Sequence, residues 1–315
     1  LPDYELVYAG HRFTSSNILH NLFLGFNEAD ADILTRLTDP NAKAEPGFLV
    51  DVFGIRTRTA NLWPEMHCHD GGFWGLPVPG NWHWETPEWV GLIRSVLSAG
   101  DRYRIMELGA GWGPAAVGGG VLARLKGISD IHVTAVEADP HHFRFLTQHV
   151  ADNGLAPANY TLLEAAVGVR SGSALWPDSP DSATAFGNRP ITREGDYLGR
   201  TFEKTRKVKI LAFTKLLRKE PLWDMVHMDI QGTEVAVCRA AIQDLNRRVA
   251  RVCIGTHSRK IDGDLFELFA KHGWVMENER PSRTTFVANA KTLEAMNIGD
   301  GIQIWRNPKL RGELN

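Results

Sequence analysis

Cysteine is scarce in this chain of 315 residues: the three it has, Cys68, Cys238 and Cys253, are scattered and form no spaced pair. That argues against a disulfide framework and a zinc knuckle, and leaves them as small thiols filling a core. Long apolar runs are missing too, so no segment reaches bilayer-spanning length. The opening "LPDYELVYAG" lacks a charged stretch followed by an apolar one, so no secretory signal is visible and a cytoplasmic location away from membranes is expected. Neither sign of charge dominates. With 35 basic against 37 acidic residues the formal net charge is -2, which offers no footprint for a nucleic-acid backbone. Repeats and low-complexity tracts are absent. A start at Leu1 rather than Met points to trimming, or to excision from a longer polypeptide with other domains fused to it.

What is present is material for a large core, since 43% of the residues are hydrophobic and the length suits one large domain with an appendage, or two domains. From about residue 86 to 306, short β-branched or apolar runs alternate with amphipathic helical stretches, the pattern of parallel α/β winding. Strands are expected at 104–108, 132–137, 160–165, 225–230, 251–255, 274–277 and 301–305. In "TPEWVGLIRSVLSAG" the apolar spacing predicts a helix, with Thr86 as N-cap, Pro87 at the first helical position and Gly100 as the stop. "DPHHFRFLTQHVADNG" and "DGDLFELFAKHG" predict two more, the latter ending at Gly273, which suits a left-handed residue after a helix. Residues 1–84 read differently: a short helix in "NEADADILTRLTD", two strands meeting near Gly54, and an ordered loop rich in Gly, Pro and aromatics over "MHCHDGGFWGLPVPGNWHW". They are expected to form a small α+β cap or lid, with residues 85–315 as the main domain.

The stretch "IMELGAGWGP" at 105–114 places Gly109, Gly111 and Gly113 straight after an apolar run and Glu107. Glycines so placed let the chain leave a strand, turn sharply and bring backbone amides close to a ligand at the start of a helix. A dinucleotide site has its third glycine three residues after its second; here the spacing is G-x-G-x-G, and a carboxylate beside the turn repels phosphate. It attracts a cationic amino group or sulfonium instead, the charge pattern of S-adenosylmethionine. A second acidic group, Glu137 in "VTAVEADP", ends the next strand, where a carboxylate can accept both hydrogen bonds of a ribose diol. Gly109, Ala110, Gly111, Glu107, Glu137 and Ala138 are therefore candidate cofactor residues. The alternative is that Glu107 caps the following helix and Glu137 is merely solvated.

Over residues 85–306 the chain resembles class I S-adenosylmethionine-dependent methyltransferases, and most closely the FkbM family. The segments "ETPEWVGLIRSVLSAGDRYRIMELGAGWG", "VEADPHHFRFLTQHVADNGL", "LLEAAVGVRSG", "VHMDIQGTE", "IGTHS" and "DGIQIWRNP" occur in that family's order. The resemblance implies a Rossmann-like seven-stranded sheet, mostly parallel with an antiparallel last strand, carrying S-adenosylmethionine over Gly109, Gly111 and Glu137. It also implies that Glu164, Ala165 and Ala166 lie on the adenine side. It implies a hydroxyl acceptor on a carbohydrate or on a glycosylated or polyketide-type natural product, hence a small-molecule or glycan partner. The chain departs from the family at Gln231 in "DIQGTE", where an acidic residue is common.

Methyl transfer from a sulfonium already has a good leaving group, so the protein must align the reactants and handle the acceptor's proton. Asp229 closes the fourth strand of the alternating pattern and His257 follows the fifth, so both are expected at the carboxyl edge. With an ordinary pKa of about 6.5, His257 suits a general base oriented by Asp229. In the other reading, Asp229, His257 and Glu234 hold a divalent ion that acidifies the hydroxyl. The metal-free reading is preferred, because no Asp-Asp pair or comparable cluster stands on the strand ends. His227 is expected to be a satisfied core histidine. "MHCHDGG" raises His67, His69 and Asp70, with His69 a candidate catalytic residue; metal binding there lacks a fourth ligand. Phe73, Trp74, Trp82, His83 and Trp84 suit either cap core or stacking on a ligand. "WPDSPDSATAFGNRP" is long for a simple connection, so Asn188 and Arg189 are candidate acceptor contacts. N-methylation, a non-catalytic module of the same fold and a dinucleotide oxidoreductase remain as rivals.

Overall fold

The computed structural model describes residues 5–8, 11–14, 28–77, 85–178, 185–191 and 201–312. A short hairpin, β1 (Glu5–Tyr8) and β2 (His11–Thr14), precedes helix α1 (Glu28–Thr35). The two strands expected near Gly54 are β3 (Leu49–Asp51) and β4 (Arg56–Thr57), antiparallel, with β5 (Phe73–Trp74) added parallel to β3. Then come α2 (Thr86–Ser98), β6 (Arg102–Leu108), α3 (Pro114–Leu125), β7 (Asp130–Glu137), α4 (Pro140–Asp152) and β8 (Tyr160–Glu164). Strands β9 (Ala166–Gly168), β10 (Gly172–Pro177) and β11 (Thr205–Ala212) follow, then α5 (Phe213–Leu217), β12 (Met225–Met228), α6 (Glu234–Arg248), β13 (Arg251–Thr256) and α7 (Arg259–Lys271). The chain closes through β14 (Val275–Arg280), β15 (Arg283–Thr284), β16 (Asn297–Gly299) and β17 (Gly301–Arg306).

Seven strands form one sheet in the order β14-β17-β13-β12-β6-β7-β8. All seven expected strands belong to it. The last of them in sequence, β17, runs antiparallel to both neighbours and lies between β13 and β14 rather than at an edge. Half-buried Glu277 of β14 accepts from Arg251 of β13 at 2.6 Å and from Arg306 of β17 at 3.0 Å, tying that side together. The chain runs outward from β6 through β7 to β8, then returns to lay β12 on the other side of β6. That reversal opens a crevice at the carboxyl ends of β6 and β12, the place where open α/β sheets bind ligands. A smaller sheet, β10-β11-β9, flanks β8 and was not foreseen from the sequence.

Local signals explain most boundaries. α4 starts where Asp139 accepts from the amide of His141, with Pro140 as first helical residue, and α7 starts at Ser258, which accepts from Ile261. Gly273, at φ 77°, follows α7 as expected. Thr86 is not the N-cap of α2: Glu85 is, because its side chain and that of Glu88 satisfy each other's backbone amides in a capping box. Cys238 and Cys253 fill the core, but Cys68 is exposed on a 3₁₀ turn.

Residues 28–77, the main described part of the stretch expected as a cap, pack against the core of the main domain. Ile33, Leu34, Leu37, Phe53 and Ile55 join one hydrophobic cluster with Trp89, Leu92, Ile105 and Val117. Buried Asp30 accepts from Arg94 and Asn278 at 2.8 Å each, and Arg58 makes a two-pronged contact to Asp152. Trp82, His83 and Trp84 lie outside the described residues. Among the described residues no helix is long and apolar enough to cross a membrane.

Candidate active site

The glycine turn is built by close approach. Gly109 has φ 73°, and a Cβ there would come within 1.8 Å of the carbonyl oxygen of Asp229, so only glycine lets β6 end this close to the chain leaving β12. The amides of Gly109 and Ala110 both donate to Val136 O at 3.0 Å, and Gly113, at φ 82°, starts α3 against Leu146. Glu137 braces the turn: Oε2 accepts from Gly111 N at 2.7 Å and Oε1 from Asp139 N at 2.6 Å. Burial pushes its carboxyl up to about 7, against the lowering effect of those two amide bonds. Each oxygen keeps a lone pair for a further donor. Glu107 turns out to be the helix cap: its two oxygens accept from Ala115 and Ala116 in the first turn of α3. It still lines the floor of the crevice, where burial raises its carboxyl to about 7.

The crevice holds about 840 Å³, open mouth included. Gly109, Ala110, Gly111, Glu137, Ala138, Ala165 and Asp229 line it, as expected from the sequence. Glu164 does not, for it is exposed at the end of β8; Ala166 does, as the resemblance implied, together with Val167 and Trp176. Asn188 and Arg189 reach the cavity from the 185–191 loop.

At the end of β12 three ionisable side chains stand in line. Asp229 opens onto the cavity with 40% of its side chain exposed. Behind it His257 is buried, with Nε2 3.1 Å from Asp229 Oδ1 and Nδ1 3.1 Å from Glu234 Oε1. Burial opposes a charge on the ring, but Glu234 and Asp229 outweigh it and hold the imidazole protonated well above its ordinary range. His257 is therefore not the expected general base: both ring nitrogens face carboxylates and it does not line the cavity. Burial alone would raise Asp229, yet the charges of His257 and His227 and the amide of Gln231 hold its carboxyl below the usual range. Of the three side chains, Asp229 is the one that lines the cavity. Asp229, Glu234 and His257 do bring one ligand atom each within 4.8 Å of one another, as the metal reading requires, but ligation needs the neutral imidazole that these carboxylates disfavour.

With the geometry in hand, the chain can be set beside known proteins. It is 30% identical over 275 residues to the "Putative methyltransferase" of Jannaschia sp. (strain CCS1), covering 85% of the chain and 95% of that relative. The chain belongs to the methyltransferases. No family model matches it. Among solved structures it is similar to precorrin-6y C5,15-methyltransferase from Geobacter metallireducens GS-15, at 14% identity and TM-score 0.40, over 72% of this chain and 90% of the other. It is also similar to methyltransferase FkbM from Methylobacillus flagellatus KT, at 13% identity and TM-score 0.40, over 64% of this chain and 44% of the other.

In this methyltransferase the candidate His69 stays outside the cavity. It sits on the 3₁₀ turn Pro64–His69 with its ring edge-on to Trp74, 4.9 Å between centroids, and among the described residues His67, His69 and Asp70 do not converge as a metal-ligand group. Other lining residues were not foreseen. Phe186 stacks flat on His142 at 4.2 Å and meets Trp112 edge-on, roofing the glycine turn from the far side. His227 lines the floor, its Nε2 2.9 Å from Glu88 Oε1. Gln231 lines the rim and donates to Asp229 Oδ1 at 2.8 Å. Trp112 was signalled inside the glycine motif itself; Phe186 and His142 carried no signal.

Proposed function

We propose that the chain transfers the methyl group of S-adenosylmethionine to a hydroxyl, in the manner of the FkbM family it resembles. The observation that carries this reading is the Asp229 carboxylate at the switch-point crevice, kept ionised by the charges of His257 and His227 and the amide of Gln231. The residues present fit the nucleoside: Glu137 for the ribose diol, and Ala138, Ala165, Ala166 and Trp176 for a flat apolar base. Three carboxylates among the described lining residues, Glu107, Glu137 and Asp229, favour a sulfonium over a pyrophosphate. When bound, S-adenosylmethionine supplies a methyl group on a positively charged sulfur, ready for displacement.

The chain's own work is then alignment and proton handling. Asp229 accepts a hydrogen bond from the acceptor hydroxyl and orients its lone pair. As the new carbon-oxygen bond forms, the hydroxyl proton becomes strongly acidic, and an ionised carboxylate suffices to take it. His257 keeps its proton and steadies the anion. A neutral amine would need no such group, which favours O- over N-methylation. That the acceptor is a carbohydrate, or a glycosylated or polyketide-type natural product, rests on the family resemblance; a small-molecule or glycan partner in the cytoplasm follows from it.

The test is transfer of labelled methyl to a panel of hydroxylated acceptors. Asp229→Asn should lose about 10²–10⁴-fold in kcat, a far larger loss than the one calorimetry shows in cofactor affinity. Full activity would refute the proton role, and retained activity on amines alone would select N-methylation. Binding without any turnover would select a non-catalytic module. The convergence of Asp229, Glu234 and His257 supports a second reading, a divalent ion at this end of the cavity. Undiminished activity after exhaustive chelation rejects it.

A further inference from the structure

Gln231 stands where the sequence departs from the family it resembles, and its backbone is unusual. Its φ of 54° lies in the left-handed region, which a Cβ disfavours and glycine adopts freely. The turn does not depend on its side chain: Glu234 Oε1 accepts from the amides of Ile230 and Gly232, and Thr233 Oγ1 donates to Ile230 O. Glycine would satisfy the fold here. The side chain instead donates Nε2–H to Asp229 Oδ1 at 2.8 Å, the same oxygen that faces His257 Nε2. With Oδ1 held from two directions, Oδ2 is the oxygen left for an acceptor, since no described residue donates to it. The main chain of Gln231 engages a second element, its carbonyl accepting from Arg189 Nη1 at 3.0 Å.

We propose that Gln231 is a positioning residue: its amide fixes the rotation of the Asp229 carboxylate so that Oδ2 faces the acceptor, and its carbonyl registers the 185–191 loop against the same carboxylate. This rests on the reading of Asp229 as the hydroxyl's proton acceptor. A glutamate at 231 would offer no donor and would place a second anion beside Asp229.

The experiment compares Gln231→Met and Gln231→Gly with the wild type in kcat, in KM for acceptor and cofactor, in denaturant unfolding and in crystal structures. Both variants should lose about tenfold to a hundredfold in kcat, the scale of a misplaced reacting group, with cofactor affinity unchanged. Gln231→Gly should unfold at the same or higher denaturant, having shed an unfavourable backbone, and its Asp229 carboxylate should be rotated in the crystal. Gln231→Glu should fall at least as far in kcat. Wild-type kcat in Gln231→Gly, or an unmoved Asp229, would overturn the proposal; so would a loss confined to cofactor affinity. Should the wild type methylate amines only, the hydroxyl reading fails by itself, and the rotation of Asp229 in the Gln231→Gly crystal still decides the positioning role.

Discussion

Replacing Gly109 by alanine perturbs the junction on which the site is built. The new Cβ would meet the Asp229 carbonyl at 1.8 Å, where real Cβ contacts essentially never fall below 3.0 Å, so the ends of β6 and β12 must separate by more than an ångström. Two backbone hydrogen bonds are strained by that movement, Asp229 N to Leu108 O at 2.9 Å and Gly109 N to Val136 O at 3.0 Å. Losing both costs about 2 kcal/mol, and a left-handed alanine adds about 1–2 kcal/mol. The expected total is about 3–4 kcal/mol. Gly127→Ala is the matched control, because Gly127 has φ 87° but nothing within 4 Å of its would-be Cβ, which leaves only the backbone cost of about 1–2 kcal/mol. Urea unfolding of the two variants measures the difference directly, and calorimetry should show cofactor binding lost in Gly109→Ala alone. Equal stability of the two, or intact cofactor binding in Gly109→Ala, would refute the close-approach argument.

Three further outcomes are expected. Glu137, raised to about 7 by burial, must be ionised to accept a ribose diol, so cofactor affinity should fall about tenfold per pH unit below that value and level off above it; Glu137→Gln should bind weakly with a flat profile in calorimetry. Burial also pushes Asp51 up to about 7 from 3.8, so the folded chain holds a proton the unfolded chain has released across that window, and stability falls as pH rises through it. Asp51→Asn keeps an acceptor for the amides of Phe53 and Ile55 and removes the charge, so denaturant midpoints should favour the variant at about pH 8 and coincide with wild type near pH 4. Lys126 donates to Val96 O, Leu97 O and Ala99 O at the end of α2, and Lys126→Met should cost about 1–2 kcal/mol in the same assay.

Periodicity carried the strands of the main sheet because most are short β-branched or apolar runs, and β12 and β13 are buried on both faces. β11 escaped although "TRKVKILA" alternates lysines with apolar residues, because its partners β9 and β10 lie before a long connection. The glycine turn was legible because its demand is local, Gly109, Gly111 and Gly113 all taking positive φ. For Glu107 the helix-capping alternative holds while the side chain also lines the crevice, and the surroundings of His257 were not legible because one of its partners arrives from elsewhere. The amides of Ala115 and Ala116 claim Glu107, and Glu234 at the start of α6 meets His257 from behind, pairing its second nitrogen. The stacking of Phe186 on His142 joins residues far apart in sequence, which no local pattern encodes. Glu164 was placed by its position in the chain, but strand alternation turns it outward and brings Ala165 inward.

The most direct test is a crystal structure with S-adenosylhomocysteine, the product nucleoside. It should lie in the crevice with its ribose diol on Glu137, its base beside Ala165 and Ala166, and its sulfur directed toward Asp229. A sulfur turned away from Asp229, or a nucleoside bound elsewhere, would contradict the account.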